Sequence, residues 1–465
     1  MPPLNTFTRS CLALAIGHAA VMSTHAANIL VNSNTDVDGM DVICTLREAI
    51  VSANTNPGNE NSGCVSGAAG MDTISFDGTI GSTILLTQNT HLAITEDLTI
   101  NGIGEDLLTI DGNANAGVFR MDSATVTLND MTISNGSRTF SGGIWVRYSN
   151  LTMSNVTVSG NEGFNGGGMT IEDSSVTIEN STVTGNSVRD AGNSGGIYIR
   201  GASNVNILNS TISNNSAPTA AGIRIVNSSS LNISNSSVTG NSAVNNTGGI
   251  GVYATVEVIN STVSGNTAAF GGGLFVYAAD TATLTNSTLV ENIATSRGGA
   301  MYLFGGSIVL NNSLIAGNNA TAAIDPGAEI AINNGSSPNT VLSNGGNLFG
   351  DSSHDDSVAF KDFTPNVADI TATSDGDIST AIESILAPLA DNGGPTQTHA
   401  LVNDSPALDN ADNTNCGDMK VINTDQRGEL REDGLCDIGS FEGIIEDSSF
   451  FVVPLSNGKV VIFGL

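Results

Sequence analysis

Between Leu151 and Asn318 apolar and polar residues alternate in short runs, and the runs recur as near copies of one another. Seven copies read LTMSNVTVSGN, VTIENSTVTGN, VNILNSTISNN, LNISNSSVTGN, VEVINSTVSGN, ATLTNSTLVEN and IVLNNSLIAGN, with an irregular eighth, VTLNDMTISNG, ahead of them. The first polar residue of each shared core falls at Asp130, Asn155, Asn180, Asn209, Asn235, Asn260, Asn286 and Asn312. Successive steps are therefore 25, 25, 29, 26, 25, 26 and 26 residues. A fixed period of this length marks a solenoid, in which each repeat buries its apolar side against its neighbours.

The alternation has period two, as in Val176, Ile178 and Val183, with Thr, Ser and Asn between. That is the pattern of a half-buried strand. Helical repeats would need apolar spacings of three and four and a supply of charged residues, which are only 13% of this chain. The expected fold is all-β: a right-handed parallel β-helix with coils of about 25 residues. Asn161, Asn186, Asn215, Asn241, Asn266, Asn292 and Asn318 are expected to stack at one corner in the left-handed conformation, each amide bonding to the next. A second corner is expected at Gly142-Gly143, Gly167-Gly168, Gly195-Gly196, Gly248-Gly249, Gly272-Gly273 and Gly298-Gly299, where glycine would supply positive φ. With flanking runs the coils extend over 73–350, and ten or eleven of them at ~4.8 Å give a rod about 50 Å long.

Composition narrows the partners. Lys and Arg number 14 against 45 Asp and Glu, a formal net charge of −31, which excludes nucleic acid, whose phosphates need a basic stripe. Such a surface recruits Ca²⁺ weakly at most; no cofactor and no metal site are expected, and the rod is expected to be a monomer. Residues 1–26, with Arg9, an apolar Cys11–Met22 stretch and Thr24-His25-Ala26, read as a secretory signal. No other stretch is long enough for a membrane helix. Cleavage would leave four cysteines, and Cys44–Cys64 with Cys416–Cys436 is the simplest of three pairings, one disulfide near each end of the rod.

Two segments carry a family resemblance. Cys44-Thr45-Leu46-Arg47-Glu48-Ala49-Ile50, followed by Ala53-Asn54, resembles the CSLREA segment of secreted bacterial β-helix proteins, with Thr45 in place of the usual Ser. It reads as a short amphipathic helix that caps the first coil through Leu46 and Ile50, with Arg47 and Glu48 as a capping ion pair. The stretch from Leu386 through Asp391-Asn392-Gly393-Gly394-Pro395 to Leu401 resembles the choice-of-anchor Q domain. So do Ser405-Pro406-Ala407-Leu408-Asp409, Thr424-Asp425-Gln426-Arg427-Gly428 and Cys436-Asp437-Ile438-Gly439-Ser440-Phe441-Glu442. The resemblance implies a secreted or outer-surface bacterial protein and no particular chemistry. The organisation expected is a cap at 27–72, the β-helix at 73–350, an acidic linker at 351–384, the anchor-like domain at 385–443 and a tail at 444–465. Asn457-Gly458 in the tail suggests a hairpin turn, and a sorting segment is the other reading.

Aligning the coils at the glycine pair puts Ile144, Met169, Ile197, Ile223, Ile250, Leu274 and Ala300 inward, and Val146 through Tyr302 likewise. The alternate positions then face solvent: Trp145, Tyr198, Arg224 and Phe275, with Met301, in one column, and Arg147, Glu172, Arg200, Tyr253 and Tyr277, with Leu303, in the other. These nine outward aromatic and charged residues are the candidate ligand-binding set, suited to stacking sugar rings and pairing with uronate or sulfate groups. Stacked aromatics and an Arg147–Glu172–Arg200 ion ladder also stabilise a parallel sheet without any ligand. A catalytic set is not evident: a hydrolase needs two carboxylates about 5–10 Å apart, Glu172 is flanked by arginines, and His91, His354 and His399 lie outside the repeat. The leading expectation is a non-catalytic adhesion rod that binds an extracellular polysaccharide or surface protein. A polysaccharide lyase or glycoside hydrolase and a passive spacer are the alternatives.

Overall fold

The computed structural model describes residues 26–39, 42–55, 63–277, 280–322, 324, 326–333, 335, 339–416, 423–431, 435–443, 450–454 and 460–464. The signal-peptide reading of the first residues falls almost wholly outside the described residues. The chain winds into a right-handed β-solenoid whose strands pair in parallel with their equivalents one coil away. Each full coil contributes three strands. In one coil these are Met169–Glu172, Ser175–Glu179 and Thr182–Thr184. Stacking builds three long faces, called here the first, second and third sheets in that order. A short fourth ladder runs through Ser187–Val188 and Ser216–Ala217. The alternation seen in sequence becomes alternation in space: Ile171, Ile178 and Val183 point into a continuous aliphatic core, while their neighbours point out.

The corners differ from expectation. The left-handed residues are the first polar column, Asn155, Asn180, Asn209, Asn235, Asn260, Asn286 and Asn312, with φ between 44° and 53°. The second Asn column stands one residue after another left-handed position, such as Gly160, Gly185 or Gly240, and its side chains point inside, fully buried. There each amide donates to the next: Asn161 Nδ2 to Asn186 Oδ1 at 3.0 Å, then 3.0, 2.9, 2.9, 2.9 and 2.9 Å down to Asn318. The backbone N–H of each Asn donates to the same acceptor, so an inward corner that would orphan backbone donors satisfies them. Apart from Gly298, at φ 69°, the glycine pairs do not take positive φ. A Cβ on Gly143, Gly196 or Gly249 would sit 2.5 Å from a carbonyl oxygen of the adjacent coil, so glycine is required there for close approach.

The ladder also exceeds the expected bounds. Asn28–Val31 already pairs in parallel with Asp72–Phe76, so the first strand lies within the segment read as cap. Residues 351–384 are not a linker: Phe360–Lys361 pairs with Ile330–Ala331, and Ile370–Thr371 with Leu348–Phe349. The reason is the open core at the last coil, where Phe360 and Phe363 pack edge-on against buried Phe349 with ring centroids 6.1 and 5.4 Å away.

At the other end the helix Leu46–Asn54 closes the rod, with Leu46, Ala49, Ile50 and Ala53 buried. Thr45 and Glu48 form a reciprocal capping box. Arg47 does not pair with Glu48; it meets Asp36 at 2.7 Å and reaches the Thr90 carbonyl at 3.2 Å. Cys44 and Cys64 are disulfide-bonded with Cα atoms 4.6 Å apart. Cys436 is disulfide-bonded too, its partner lying outside the described side chains. Phe450–Pro454 and Val460–Gly464 form an antiparallel pair.

The described residues of 385–443 lie against the third sheet. Ile385, Leu386, Ala407 and Ile438 pack on Val290, Leu314, Ala316 and Leu348. Among the described residues no helix is long and apolar enough to cross a membrane.

Candidate ligand-binding face

The first sheet carries the candidate residues. One outward column runs, rung by rung, Arg120, Trp145, Thr170, Tyr198, Arg224, Gly251, Phe275 and Tyr302. The other runs Asp122, Arg147, Glu172 and Arg200, then Tyr253, Tyr277 and Phe304 further on. Two expectations change. Met301 and Leu303 point into the core and Tyr302 points out, because Gly271-Gly272-Gly273 aligns with Gly298-Gly299-Ala300 and not with the glycine pair alone; Leu274 donates to the Ala300 carbonyl. The first column is also less open than strand alternation implies. Thr170, Tyr198, Phe275 and Tyr302 are buried under the loops that lead into each strand, with Phe140 accepting from the Thr170 hydroxyl at 3.0 Å and Phe270 lying 5.2 Å from Tyr302. The described residues of 385–443 pack on the third sheet instead.

The second column is the accessible one. Its charges form a ladder that Arg120 joins from the first column: Arg120 to Asp122, Asp122 to Arg147 at 3.5 Å, Arg147 to Glu172 at 3.6 Å and Glu172 to Arg200 at 2.8 Å. Each carboxylate sits between two guanidinium groups, and three arginines against two acids leave one net positive charge. Arg224 lies 5.0 Å from the Tyr253 ring centre and 6.0 Å from Tyr198, and donates to Asn193 Oδ1 at 2.8 Å. Among the described residues it meets no carboxylate within ion-pair distance. Burial pushes the Tyr253 phenol up, with Arg224 opposing. Beyond it Tyr277 and Phe304 stack in parallel, centroids 5.7 Å apart, and both remain about two-fifths exposed, at 40% and 38%.

At the N-terminal end of the face a pocket of about 300 Å³ opens between His91, Arg120, Arg138, Phe140 and Trp145. Phe140 stacks on Trp145 with centroids 4.6 Å apart and planes 4° from parallel. Arg120 and Arg147 lie 4.9 and 5.0 Å from the indole centre. Burial holds the His91 pKa below its ordinary value, and Arg120, Arg138 and Arg47 add to that. The sequence reading left His91 aside as outside the repeat. Yet Leu92–Ile94 pairs with Phe119–Met121, which pairs with Ile144–Val146, and so His91 joins the same face. Arg120, Arg138 and Phe140 were missed for a related reason: they lie before the first clean copy, and two of them on a loop with no alternation to follow.

Among the described residues no three His, Cys, Asp or Glu side chains converge as metal ligands. The nine candidates occupy one sheet, Trp145 at the pocket, Arg147, Glu172 and Arg200 in the ladder, Tyr198, Arg224, Tyr253, Phe275 and Tyr277 further along.

A family model described as a right handed beta helix region matches residues 106–268. No curated protein matches the chain. Among solved structures the chain is similar to the pectate lyase Pel9A, with 12% identity, a TM-score of 0.52, and coverage of 91% of this chain and 98% of that one. At that identity the likeness is one of fold.

Proposed function

We propose that the protein is an exported, non-catalytic rod that binds an acidic extracellular polysaccharide along the first sheet. One observation carries this reading. In a chain of net charge −31, five of the fourteen cationic side chains (Arg120, Arg138, Arg147, Arg200 and Arg224) sit on this one face, interleaved with aromatic rings. Cations gathered against the sign of the whole molecule favour an anionic ligand, and rings beside them suit sugar faces. Export is supported by the disulfides, which belong to oxidising compartments. It is supported too by the resemblance of the Cys44–Ile50 segment and of the 386–442 motifs to the CSLREA and choice-of-anchor Q families of surface proteins. The fold neighbour is by its title a pectate lyase, and pectate is an acidic polysaccharide.

Cleavage of that polysaccharide is the second reading, favoured by one observation: a histidine held neutral among arginines, as His91 is, is a competent base. Against it, Asp122 and Glu172 are each tied up between two arginines.

The test is sedimentation of the full chain with polygalacturonate at increasing salt, beside Arg200→Gln/Arg224→Gln. Salt-sensitive binding that the double variant weakens supports the reading; appearance of unsaturated product in the same tubes makes the face catalytic. An absence of binding to any acidic polysaccharide refutes it and leaves a spacer.

A further inference from the structure

The pocket under Phe140 differs in kind from the rest of the face. The ladder from Asp122 to Arg200 is open and its side chains are ion-paired to one another, although Arg147 Nε, Arg200 Nε and Glu172 Oε2 also lack a hydrogen-bond partner, whereas the pocket is walled and holds Arg138, which meets no carboxylate among the described residues. Among those residues the Arg138 side chain gives one hydrogen bond, from Nη2 to the Asn89 carbonyl at 2.8 Å. Arg120 Nε and Trp145 Nε1 are buried with no hydrogen-bond partner at all. Buried donors without acceptors cost free energy, and a site that collects them awaits an acceptor-rich ligand.

The walls limit what that ligand is. A volume of about 300 Å³ lies at the bottom of the range for small-molecule sites, room for about one sugar ring. On the N-terminal side the face ends. Asn54 of the capping helix donates to the Ala93 carbonyl at 2.8 Å and accepts from Thr95 N at 2.9 Å. Arg47 from the same helix holds Thr90 and, at 3.4 Å, the His91 carbonyl. A polymer lying along the sheet therefore meets a stop here.

We infer that the pocket is an end-on subsite that accepts a single carboxylated sugar ring, either the terminal unit of an acidic glycan or the free sugar acid. Arg138 and Arg120 hold the carboxylate, the indole N–H and neutral His91 bond ring oxygens, and the Phe140–Trp145 edge covers the ring. The identification of the polymer rests on the function proposed above; the pocket does not.

Trp145 is the only tryptophan of the chain, so its fluorescence reports this pocket alone. Titration of the full chain with galacturonate and glucuronate, each against its neutral parent sugar, is expected to shift Trp145 emission with an acid and not with the parent. Arg138→Gln is expected to weaken that response about tenfold or more, the weight of a charge-assisted hydrogen bond, and Arg138→Lys to restore part of it. Bound carboxylate is also expected to raise the His91 pKa, read from its imidazole proton resonances, because it offsets the surrounding arginines. If polygalacturonate binds but neither acid moves Trp145 emission and Arg138→Gln binds as wild type, the pocket inference is overturned and the face reading stands. If a sugar acid binds but no polymer does, the face reading falls and the pocket stands. Silence from every acid and every polymer overturns both.

Discussion

The first and third sheets are built on the same coils, at the same period and with the same buried aliphatic interior, yet they are put to different uses. On the third sheet the outward residues are hydroxyls over most coils and the apolar Val290, Leu314, Ala316 and Leu348 toward the end, and they are spent on the chain itself. Gln426 donates to Ser237 at 3.0 Å and to Thr396 at 2.8 Å and accepts from Thr262 at 2.7 Å. His399 donates through Nδ1 to the Ala387 carbonyl at 2.9 Å, which leaves Nε2 to accept from the Ser264 hydroxyl at 2.8 Å. Burial keeps this imidazole's pKa low, in keeping with its role as a neutral acceptor. On the first sheet the outward residues are mostly rings and charged groups, and the hydrogen bonds and ion pairs they make among the described residues stay within the solenoid and its loops. A solenoid's backbone leaves its outer columns free to vary, so chemistry alone separates a docking face from a binding face.

Mutations can separate the two. The largest effect is expected from a change that strikes both. Asn241→Ala removes a fully buried rung that serves Asn215 and the Ile212 carbonyl, and should cost about 3 kcal/mol or more in urea unfolding. Gln426→Ala strikes only the docked face. It is expected to cost about 2 kcal/mol and to free 385–443 for proteolysis while leaving polysaccharide binding intact.

The third expectation touches neither face. Glu329 closes the amide ladder, accepting from Asn318 Nδ2 at 2.6 Å, and burial, with Asp351 adding to it, pushes its carboxyl well above the ordinary 4.5. The folded state thus holds that proton more tightly than the unfolded one. This contribution is fully present below pH 4.5 and is lost as pH rises through the raised value. Asp437, raised to about 6 by burial, acts in the same direction between 3.8 and that value. Glu329→Gln is expected to flatten the fall of melting temperature with rising pH; an unchanged slope would contradict the assignment.

The smallest expected effect on stability is the one most telling for function. Arg200→Gln breaks a partly exposed ion pair and should change unfolding by less than about 1 kcal/mol, yet it should weaken polysaccharide binding measurably.

The solenoid was legible because its cause is local: period-two alternation and a recurring Asn-Ser or Asn-Thr step dictate strands and corners one coil at a time. The buried serines after the left-handed Asn bond from coil to coil, as Ser181 N does to Ser210 Oγ at 3.1 Å. The roles within the corners were misread because Asn and Gly each have two uses. Asn suits left-handed φ or an amide ladder, and Gly suits positive φ or close approach. Sequence names the residue without the geometry. The end of the rod was misread because 351–384 is short in alternation and rich in acids, although Phe349, Phe360 and Phe363 already signalled a core that needed closing. The candidate face was half legible. Its second column followed from strand alternation, but burial of the first column and the pocket at His91 depend on loops and on a coil with no clean copy to align.

The amide ladder gives the rod a direction. Every rung from Asn161 to Asn318 donates toward the C-terminal end, so the row of side-chain dipoles is unidirectional and delivers its positive end to one acceptor, Glu329. Whole coils are in this respect interchangeable, since inserting or deleting one leaves every remaining donor matched, whereas the terminal acid has no substitute among the rungs. The ladder thus tolerates a change of rod length by whole coils, with its end fitting held constant.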